Sequence, residues 1–162
     1  MNEDCGGSWV EGPGGRPHSD DEYFERMTHV VFQAGMNWRT IEDKWTSFQE
    51  AFAHFSIEKV ANFTEEDVER LMKNAGIVRN KQKILATIKN ARELKNVVRE
   101  FGSVRAYIEA ITQSQDYRTA EKELIRRFHH LGPMSSGIFL LSVGVSIKGA
   151  SSAPWIAQTR SP

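Results

Sequence analysis

The segment from 71 to 84 carries the residue types that a phosphate-binding site requires. Gly76 can take the positive φ that ends a first helix, and Ile77 can point inward and fix the turn against the core. Three backbone amides then lie at the start of a second helix with few internal partners, those of Val78, Arg79 and Asn80. The helix dipole and the unpaired donors both favour an anion there. The segment therefore predicts an anion site in a tight helical hairpin.

Three basic side chains surround these amides, namely Arg79, Lys81 and Lys83. Amides and cations in this combination suit a phosphate of DNA. Because 21 basic and 21 acidic residues give a formal net charge of zero, any DNA binding depends on a local patch of this kind. The alternative interpretation is an ordinary helical hairpin with a solvated basic rim, since helices that end in glycine are often followed by lysine.

The hydrophobic pattern around the hairpin is helical, and no segment alternates as a strand would. Capping residues and the spacing of apolar side chains predict these helices: 20–34 before Gly35, 38–52 capped by Asn37, 56–63 opened by Ser56, 65–75 capped by Thr64, 81–101, a short helix from Ser103, 119–131, and 133–143 opened by Gly132-Pro133. The predicted fold class is therefore all-α, built around a helix-hairpin-helix segment.

A length of 162 residues suits one domain. We expect an irregular N-terminal arm over 1–19, a helical domain over 20–144 with its hairpin at 75–84, and a polar tail over 145–162. The longest apolar run is too short to span a membrane. A single cysteine excludes an internal disulfide and no secretory signal is visible, so we expect the cytoplasm, with nucleoid association in a bacterium.

Several motifs form a longer pattern with the hairpin. They are Phe32-Gln33-Ala34-Gly35-Met36-Asn37-Trp38, the pair Phe52 and Phe55, the run 64–71, the run 75–81 followed by Lys83-Ile84, and Gly132-Pro133 opening a helix that ends at Gly144. This pattern, from about Trp9 to Gly144, closely resembles the DNA-3-methyladenine glycosylase I family of the helix-hairpin-helix superfamily. The middle third of the chain carries the most specific part of the resemblance.

The resemblance implies base-excision repair, in which an alkylated purine such as 3-methyladenine is flipped out of double-stranded DNA and its N-glycosidic bond is hydrolysed. A purine methylated at N3 is already cationic and leaves readily. The protein is then needed chiefly to extrude the base, stack it and stabilise positive charge on the sugar. No cofactor is expected for this reaction.

The resemblance assigns Trp38 as the aromatic side chain on which such a base would stack, with core packing at a helix start as the alternative. Trp9 falls where the family has another pocket aromatic. Tyr23 and Trp45 can also line the cavity, although their helical spacing favours core packing. Gln33 can hydrogen-bond a base, or it can merely satisfy backbone groups.

Relatives that resemble the bacterial enzyme carry a pocket glutamate three residues before the Gln-Ala-Gly motif, where this chain has Val30. The carboxylate that would read the base edge is therefore absent from that position. Glu42 and Asp43, one turn past Trp38, are alternative carboxylates, with solvation at the surface as the favoured interpretation.

The same relatives hold a structural zinc ion with two Cys and two His ligands. Here Cys5 and His18 can supply only a shifted first pair, and no Cys or His follows His130. Because a structural zinc site needs four such ligands, we predict no metal.

A second phosphate contact is predicted at the start of the last helix, where Ser135 and Ser136 lie in a first turn that should have free amides. A basic cluster precedes it, formed by Arg126, Arg127, His129 and His130. The alternative for this cluster is a solvated helix face.

Three functions remain open from the sequence. The first is a monofunctional glycosylase for alkylated purines, which the hairpin, Trp38 and the length of the resemblance favour. The second is a DNA-binding protein that has lost catalysis, which Val30 and the shortened N-terminal arm favour. The third is a helical protein-interaction domain, which the zero net charge favours.

Overall fold

The computed structural model describes residues 17–113 and 116–145, and the regular structure in these ranges is helical. The helices are α1 (Asp20–Gln33), α2 (Trp38–Asp43), α3 (Trp45–Ala51), α4 (Ile57–Ala61), α5 (Glu65–Met72), α6 (Lys81–Phe101), α7 (Val104–Ile111), α8 (Tyr117–Arg127) and α9 (Pro133–Ser142). One 3₁₀ turn, Ala53–Phe55, follows α3. The predicted all-α fold class is confirmed.

Side-chain caps explain where many of these helices begin. Asn37 accepts from the Arg39 amide at 2.9 Å, and Ser56 accepts from the Lys59 amide at 3.2 Å. Ser103 caps α7 in the same way. These oxygens satisfy amides that have no partner inside the helix, so the polar residue before each apolar run fixes the start of the helix.

The predicted single helix over 38–52 is wrong, because the chain breaks at Lys44 between α2 and α3. The Lys44 amide donates to the carbonyls of both Thr40 and Ile41, which tightens the last turn of α2. Helix α5 also ends at Met72 rather than at 75, and α4 ends at Ala61 rather than at 63. These boundaries depend on packing rather than on apolar spacing alone.

Three consecutive residues without a glycine adopt positive φ directly after α3. The φ angles are 54° at Ala53, 55° at His54 and 57° at Phe55. This conformation is unfavourable for residues with a Cβ, so tertiary contacts must hold it. Phe55 provides them, because its buried ring stacks on Trp45 at 5.2 Å and on Phe52 at 5.8 Å between centroids.

Helix α6 forms the centre of the domain, because it packs against α1, α4, α5 and α7. Helix α9 packs against both α1 and α8. Two acids at the start of α1 hold neighbouring helices: Asp20 accepts from the Val104 amide and Asp21 from the Ile57 amide, each at 2.9 Å. These two carboxylates therefore cap α7 and α4, and their negative charge also stabilises the positive end of the α1 dipole.

None of the helices in the described ranges is both long enough and apolar enough to cross a membrane.

The capping box of α5 gives a testable stability effect. Asp67 accepts from the Thr64 amide at 2.8 Å, and that hydrogen bond lowers the pKa of the Asp67 carboxyl. We expect Asp67→Ala to lower the free energy of unfolding by about 1 kcal/mol at neutral pH. Denaturant unfolding at several pH values measures this difference.

The contribution of Asp67 is present above its unfolded pKa of about 3.9 and is lost as pH falls through its lower folded pKa, so the difference should shrink in acid. Glu66→Ala is the matched control, because Glu66 is an exposed acid in the same turn. An equal loss of stability in the two variants would contradict a specific role for the capping box.

Candidate active site and DNA interface

The hairpin turn lies between Met72 at the end of α5 and Lys81 at the start of α6. Ile77 is 2% exposed, which confirms the predicted inward position. The expectation that Gly76 has a positive φ is wrong, since the described glycines with positive φ are Gly35, Gly102 and Gly144. Gly76 instead approaches α3 closely, because an added Cβ would lie 2.9 Å from the Ser47 Oγ.

Two of the three predicted amides are available in this turn. Within 17–113 and 116–145, no hydrogen-bond partner is found for the amides of Val78 and Arg79. The amide of Asn80 is occupied, because it donates to the Val78 carbonyl at 3.0 Å. The Asn80 side chain caps α6 by accepting from the Lys83 amide at 3.1 Å. The turn therefore presents a pair of free donors next to the positive end of a long helix.

Arg79 and Lys81 are exposed beside these amides, and neither forms an ion pair with any described residue. Both side chains are therefore accessible from solvent, and their contact with a phosphate stays a prediction.

The predicted assignment of Lys83 to a phosphate is wrong, because the Lys83 side chain is buried. Its Nζ donates to the carbonyl oxygen of Ala34 at 2.6 Å and to that of Phe32 at 3.2 Å. These carbonyls lie at the end of α1, where the helix leaves acceptors without partners and its dipole favours a cation. Burial lowers the pKa of the Lys83 ammonium. Lys83 thus ties the start of α6 to the end of α1.

The connection places the hairpin next to the turn that carries Trp38. Gly35 reverses the chain after α1 with φ of 74°, and Asn37 then caps α2 so that Trp38 is its first residue. Trp38 is 38% exposed, so the alternative of a core tryptophan is wrong. Met36 is also exposed on the same turn. The Trp38 indole is therefore accessible from solvent at the position where the resemblance implies that the base would stack.

The remaining candidates for the base pocket occupy different environments. Tyr23 and Val30 are each 3% exposed on α1. Gln33 is half-buried, and its Oε1 is buried without a hydrogen-bond partner among the described residues, so this oxygen does not satisfy a backbone group. Trp45 packs in the core, as its spacing predicts. Trp9 lies outside the described residues.

A buried histidine, His29, was missed by the sequence analysis. Its Nε2 lies 2.5 Å from the Glu42 Oε2, and its ring lies 4.7 Å from the ring of Trp45. The favoured interpretation of Glu42 as a solvated carboxylate is therefore wrong. The four-residue spacing of Trp38 and Glu42 on α2 was a local signal for Glu42, but no local pattern pairs Glu42 with His29 on α1.

A second carboxylate, Glu25, anchors the same region. Its Oε2 accepts from the Trp45 Nε1 at 2.8 Å and from the Gln49 Nε2 at 2.9 Å. Both hydrogen bonds hold α3 against α1, so this carboxylate has a structural role.

The predicted second phosphate site is not supported at Ser136, because its amide donates to the Gly132 carbonyl at 2.8 Å. The side chains of Ser135 and Ser136 are also buried, at 8% and 0% exposed. Ser136 is the fourth residue of α9, so its amide makes the first regular hydrogen bond of the helix and is not available to a phosphate.

The neighbouring basic cluster is largely neutralised within the fold. Arg127 is partly buried and pairs with Glu93 and Glu100, and Arg126 pairs with Glu123 at 2.8 Å. Because both arginines already have carboxylate partners, this face offers fewer cations to DNA than the sequence suggests. His129 and His130 are exposed.

Across the described ranges, no group of three or more His, Cys, Asp or Glu side chains is arranged to hold a metal ion. Cys5 lies outside those ranges.

Comparison with known sequences gives two curated relatives. The chain is 37% identical over 79 residues to a DNA-3-methyladenine glycosylase of Haemophilus influenzae, a match covering 48% of this chain and 43% of that protein. It is 43% identical over 79 residues to DNA-3-methyladenine glycosylase 1 of Escherichia coli, covering 48% of this chain and 42% of that protein. The match thus spans less than half the length of either relative.

Comparison with solved structures supports the fold over most of the chain. A 3-methyladenine DNA glycosylase I from Staphylococcus aureus superimposes with a TM-score of 0.74 at 24% identity, covering 88% of this chain and 87% of that one. Another structure of a 3-methyladenine DNA glycosylase I gives a TM-score of 0.69 at 26% identity, covering 86% and 88%.

The family model described as methyladenine glycosylase matches residues 10–137. This range contains the Gln-Ala-Gly turn, Trp38, the hairpin and the central helix α6. The chain therefore belongs to the methyladenine glycosylase family.

Proposed function

We propose that this protein is a monofunctional DNA glycosylase that flips an alkylated purine, such as 3-methyladenine, out of duplex DNA and hydrolyses its N-glycosidic bond. Its curated relatives are named as DNA-3-methyladenine glycosylases, and the structure from Staphylococcus aureus concerns 3-methyladenine recognition. The observation that carries the proposal is the Lys83 ammonium, which links the hairpin helix to the Gln-Ala-Gly turn. This contact therefore fixes the turn before Trp38 relative to the hairpin that would bind DNA.

The reaction needs little from the protein beyond positioning and electrostatics. The glycosidic C–N bond breaks, and its electron pair leaves with the cationic base, which becomes neutral. A water oxygen then bonds to the sugar carbon, one proton of that water goes to solvent, and the other remains on the new sugar hydroxyl. Trp38 favours this course by stacking on the flipped base, since an aromatic face attracts a cation and offsets part of the cost of flipping.

The amides of Val78 and Arg79, with the side chains of Arg79 and Lys81, would bind the DNA backbone. Contacts of this type fix the position of the duplex without reading its sequence. The hairpin is therefore the element that holds DNA while the base enters the pocket.

The direct test incubates the protein with methylated DNA and measures free 3-methyladenine. Base released above the level of the buffer supports the proposal. No release by a protein whose helical circular dichroism is intact would contradict it.

A non-catalytic DNA-binding protein is the second candidate function. It is favoured by the buried valine at position 30, which leaves that position without a carboxylate. This candidate predicts salt-sensitive binding to duplex DNA and no release of any base.

The salt dependence of duplex binding can show which of the three hairpin cations contact phosphates. Arg79 and Lys81 are exposed, whereas Lys83 is internally bonded. We expect the double variant Arg79→Ala, Lys81→Ala to reduce the slope of log affinity against log salt by about 2, because each phosphate contact contributes about 0.9. Binding titrations between low and moderate salt measure this slope.

Lys83→Met is the matched control, because it removes a cation from the same helical turn. It should leave the slope close to that of the wild type, although the protein loses stability. A slope that falls equally in Lys83→Met and in the double variant would contradict the assignment of the exposed pair.

A further inference from the structure

Glu42 is held by a residue that is itself completely buried. His29 is 0% exposed on α1, and its Nε2 lies 2.5 Å from the Glu42 Oε2. The His29 ring forms a T-shaped contact with Trp45, with 4.7 Å between ring centroids and an interplanar angle of 67°. Because the imidazole is confined on this side, one carboxylate oxygen of Glu42 has a defined position.

The other half of this carboxylate remains open. The Glu42 side chain is 23% exposed, and its Oε1 has no hydrogen-bond partner within the described part of the chain. No lysine or arginine of that part forms an ion pair with Glu42. An anchored carboxylate with a free acceptor oxygen can bind a donor or a cation that comes from outside the fold.

Trp38 lies four residues before Glu42 on α2, so the two side chains leave the helix on the same face, one turn apart. The indole is 38% exposed. An electron-rich ring and an anionic carboxylate separated by one helical turn suit a flat cationic ring, because both groups attract positive charge. A neutral ring of the same shape gains from the indole face but much less from the carboxylate.

Glu25 and Asp43 differ from Glu42 in ways that matter for this role. Glu25 accepts hydrogen bonds from the side chains of Trp45 and Gln49, so its carboxylate is used within the fold. Asp43 is exposed on α2 but follows Glu42 by one residue and therefore points in a different direction. Glu42 is thus the carboxylate that combines partial exposure, a buried anchor and alignment with Trp38.

We propose that the Glu42 carboxylate, positioned by His29, binds the positively charged ring of the alkylated purine that stacks on Trp38. The identity of the ligand as an alkylated purine rests on the proposed function. Glu42 would thereby favour a methylated cationic base over an undamaged neutral one, and His29 acts as a positioning residue.

The test compares two small probes that differ in charge. The 3,9-dimethyladeninium ion keeps its positive charge at neutral pH because N3 and N9 are both methylated, whereas 9-methyladenine is neutral. Calorimetric titration of the full chain with each probe gives the ratio of the two affinities. We expect the wild type to prefer the cation and Glu42→Gln to lower that preference about tenfold, with the affinity for the neutral probe unchanged.

Asp43→Asn is the matched control, because it removes a carboxylate from the adjacent position and should leave the preference intact. No preference in the wild type would overturn the inference, as would retention of the wild-type preference in Glu42→Gln. These outcomes do not depend on turnover. Failure to release 3-methyladenine from DNA, with the preference for the cation present, would contradict only the proposed enzymatic activity.

The role of His29 is tested by two substitutions of the buried ring. His29→Gln retains a side-chain N–H donor, whereas His29→Leu removes it. We expect His29→Gln to keep most of the preference for the cation and His29→Leu to lose it, while both keep the affinity of the wild type for 9-methyladenine. Equal preference in the two variants would overturn the positioning role, and Glu42→Gln tests the site even where His29→Leu does not fold.

Discussion

We expect the replacement of Trp38 with alanine to lower kcat/KM for the proposed release of 3-methyladenine from methylated DNA by about 100-fold, because stacking of a base on an aromatic side chain contributes about 1–3 kcal/mol. Affinity for undamaged duplex stays near that of the wild type, since the hairpin rather than Trp38 would bind the DNA backbone. Trp38→Phe keeps an aromatic face and should retain more of the activity. Single-turnover release and duplex binding are measured on the same preparations.

Ile125→Ala serves as the control for loss of an exposed apolar side chain, because Ile125 is 39% exposed on α8 and Trp38 is 38% exposed on α2. It should leave release unchanged. Wild-type rates in Trp38→Ala would contradict the stacking role. If affinity for undamaged duplex fell together with base release, Trp38 would instead contribute to general DNA binding.

The largest loss of stability is expected from Phe52→Ala, at about 3–5 kcal/mol. Phe52 is 0% exposed and lies at the centre of a group of aromatic rings. The distances from its ring centroid are 5.8 Å to Phe55, 6.2 Å to Phe32 and 6.3 Å to both Phe48 and Phe63. The substitution removes these contacts and leaves a cavity that the rigid neighbours cannot fill.

Phe101→Ala is the matched control, because Phe101 is 38% exposed and its ring lies near that of Tyr107, with centroids 5.2 Å apart. We expect this variant to lose about 1 kcal/mol or less. Denaturant unfolding followed by circular dichroism gives both values. Similar losses in the two variants would show that the rings around Phe52 do not form the main core.

Local signals predicted helix ends where a side chain could satisfy the backbone. Asn37, Ser56 and Ser103 cap helices as predicted, and α6 has the predicted bounds of Lys81–Phe101. These outcomes depend on residues within one turn of each other, so the sequence contains all the necessary information. The positive φ turn after α3 was not predictable in this way, because Phe55 in that turn also packs on Phe24 of α1, with ring centroids 5.8 Å apart. The break at Lys44 likewise follows no local signal in the apolar spacing.

The candidate site also contains some residues that the sequence could identify and one that it assigned wrongly. Trp38, Arg79 and Lys81 could be chosen from their types and positions, and the structure leaves all three exposed. Lys83 was assigned to a phosphate because it is a cation beside the other two. Its true partners, the carbonyls of Phe32 and Ala34, lie about fifty residues earlier in the sequence, and no local pattern reveals such a contact.

The sequence by itself determined the helical fold class, the position of the hairpin and the tryptophan at the start of α2, because periodicity and capping act over a few residues. Only the tertiary structure decided that Lys83 joins the hairpin to α1 and that His29 holds Glu42. Both contacts form between side chains on different helices, so they depend on how the packed core orients those helices. Charge and residue type were visible in the sequence, but the partner of each charge was not.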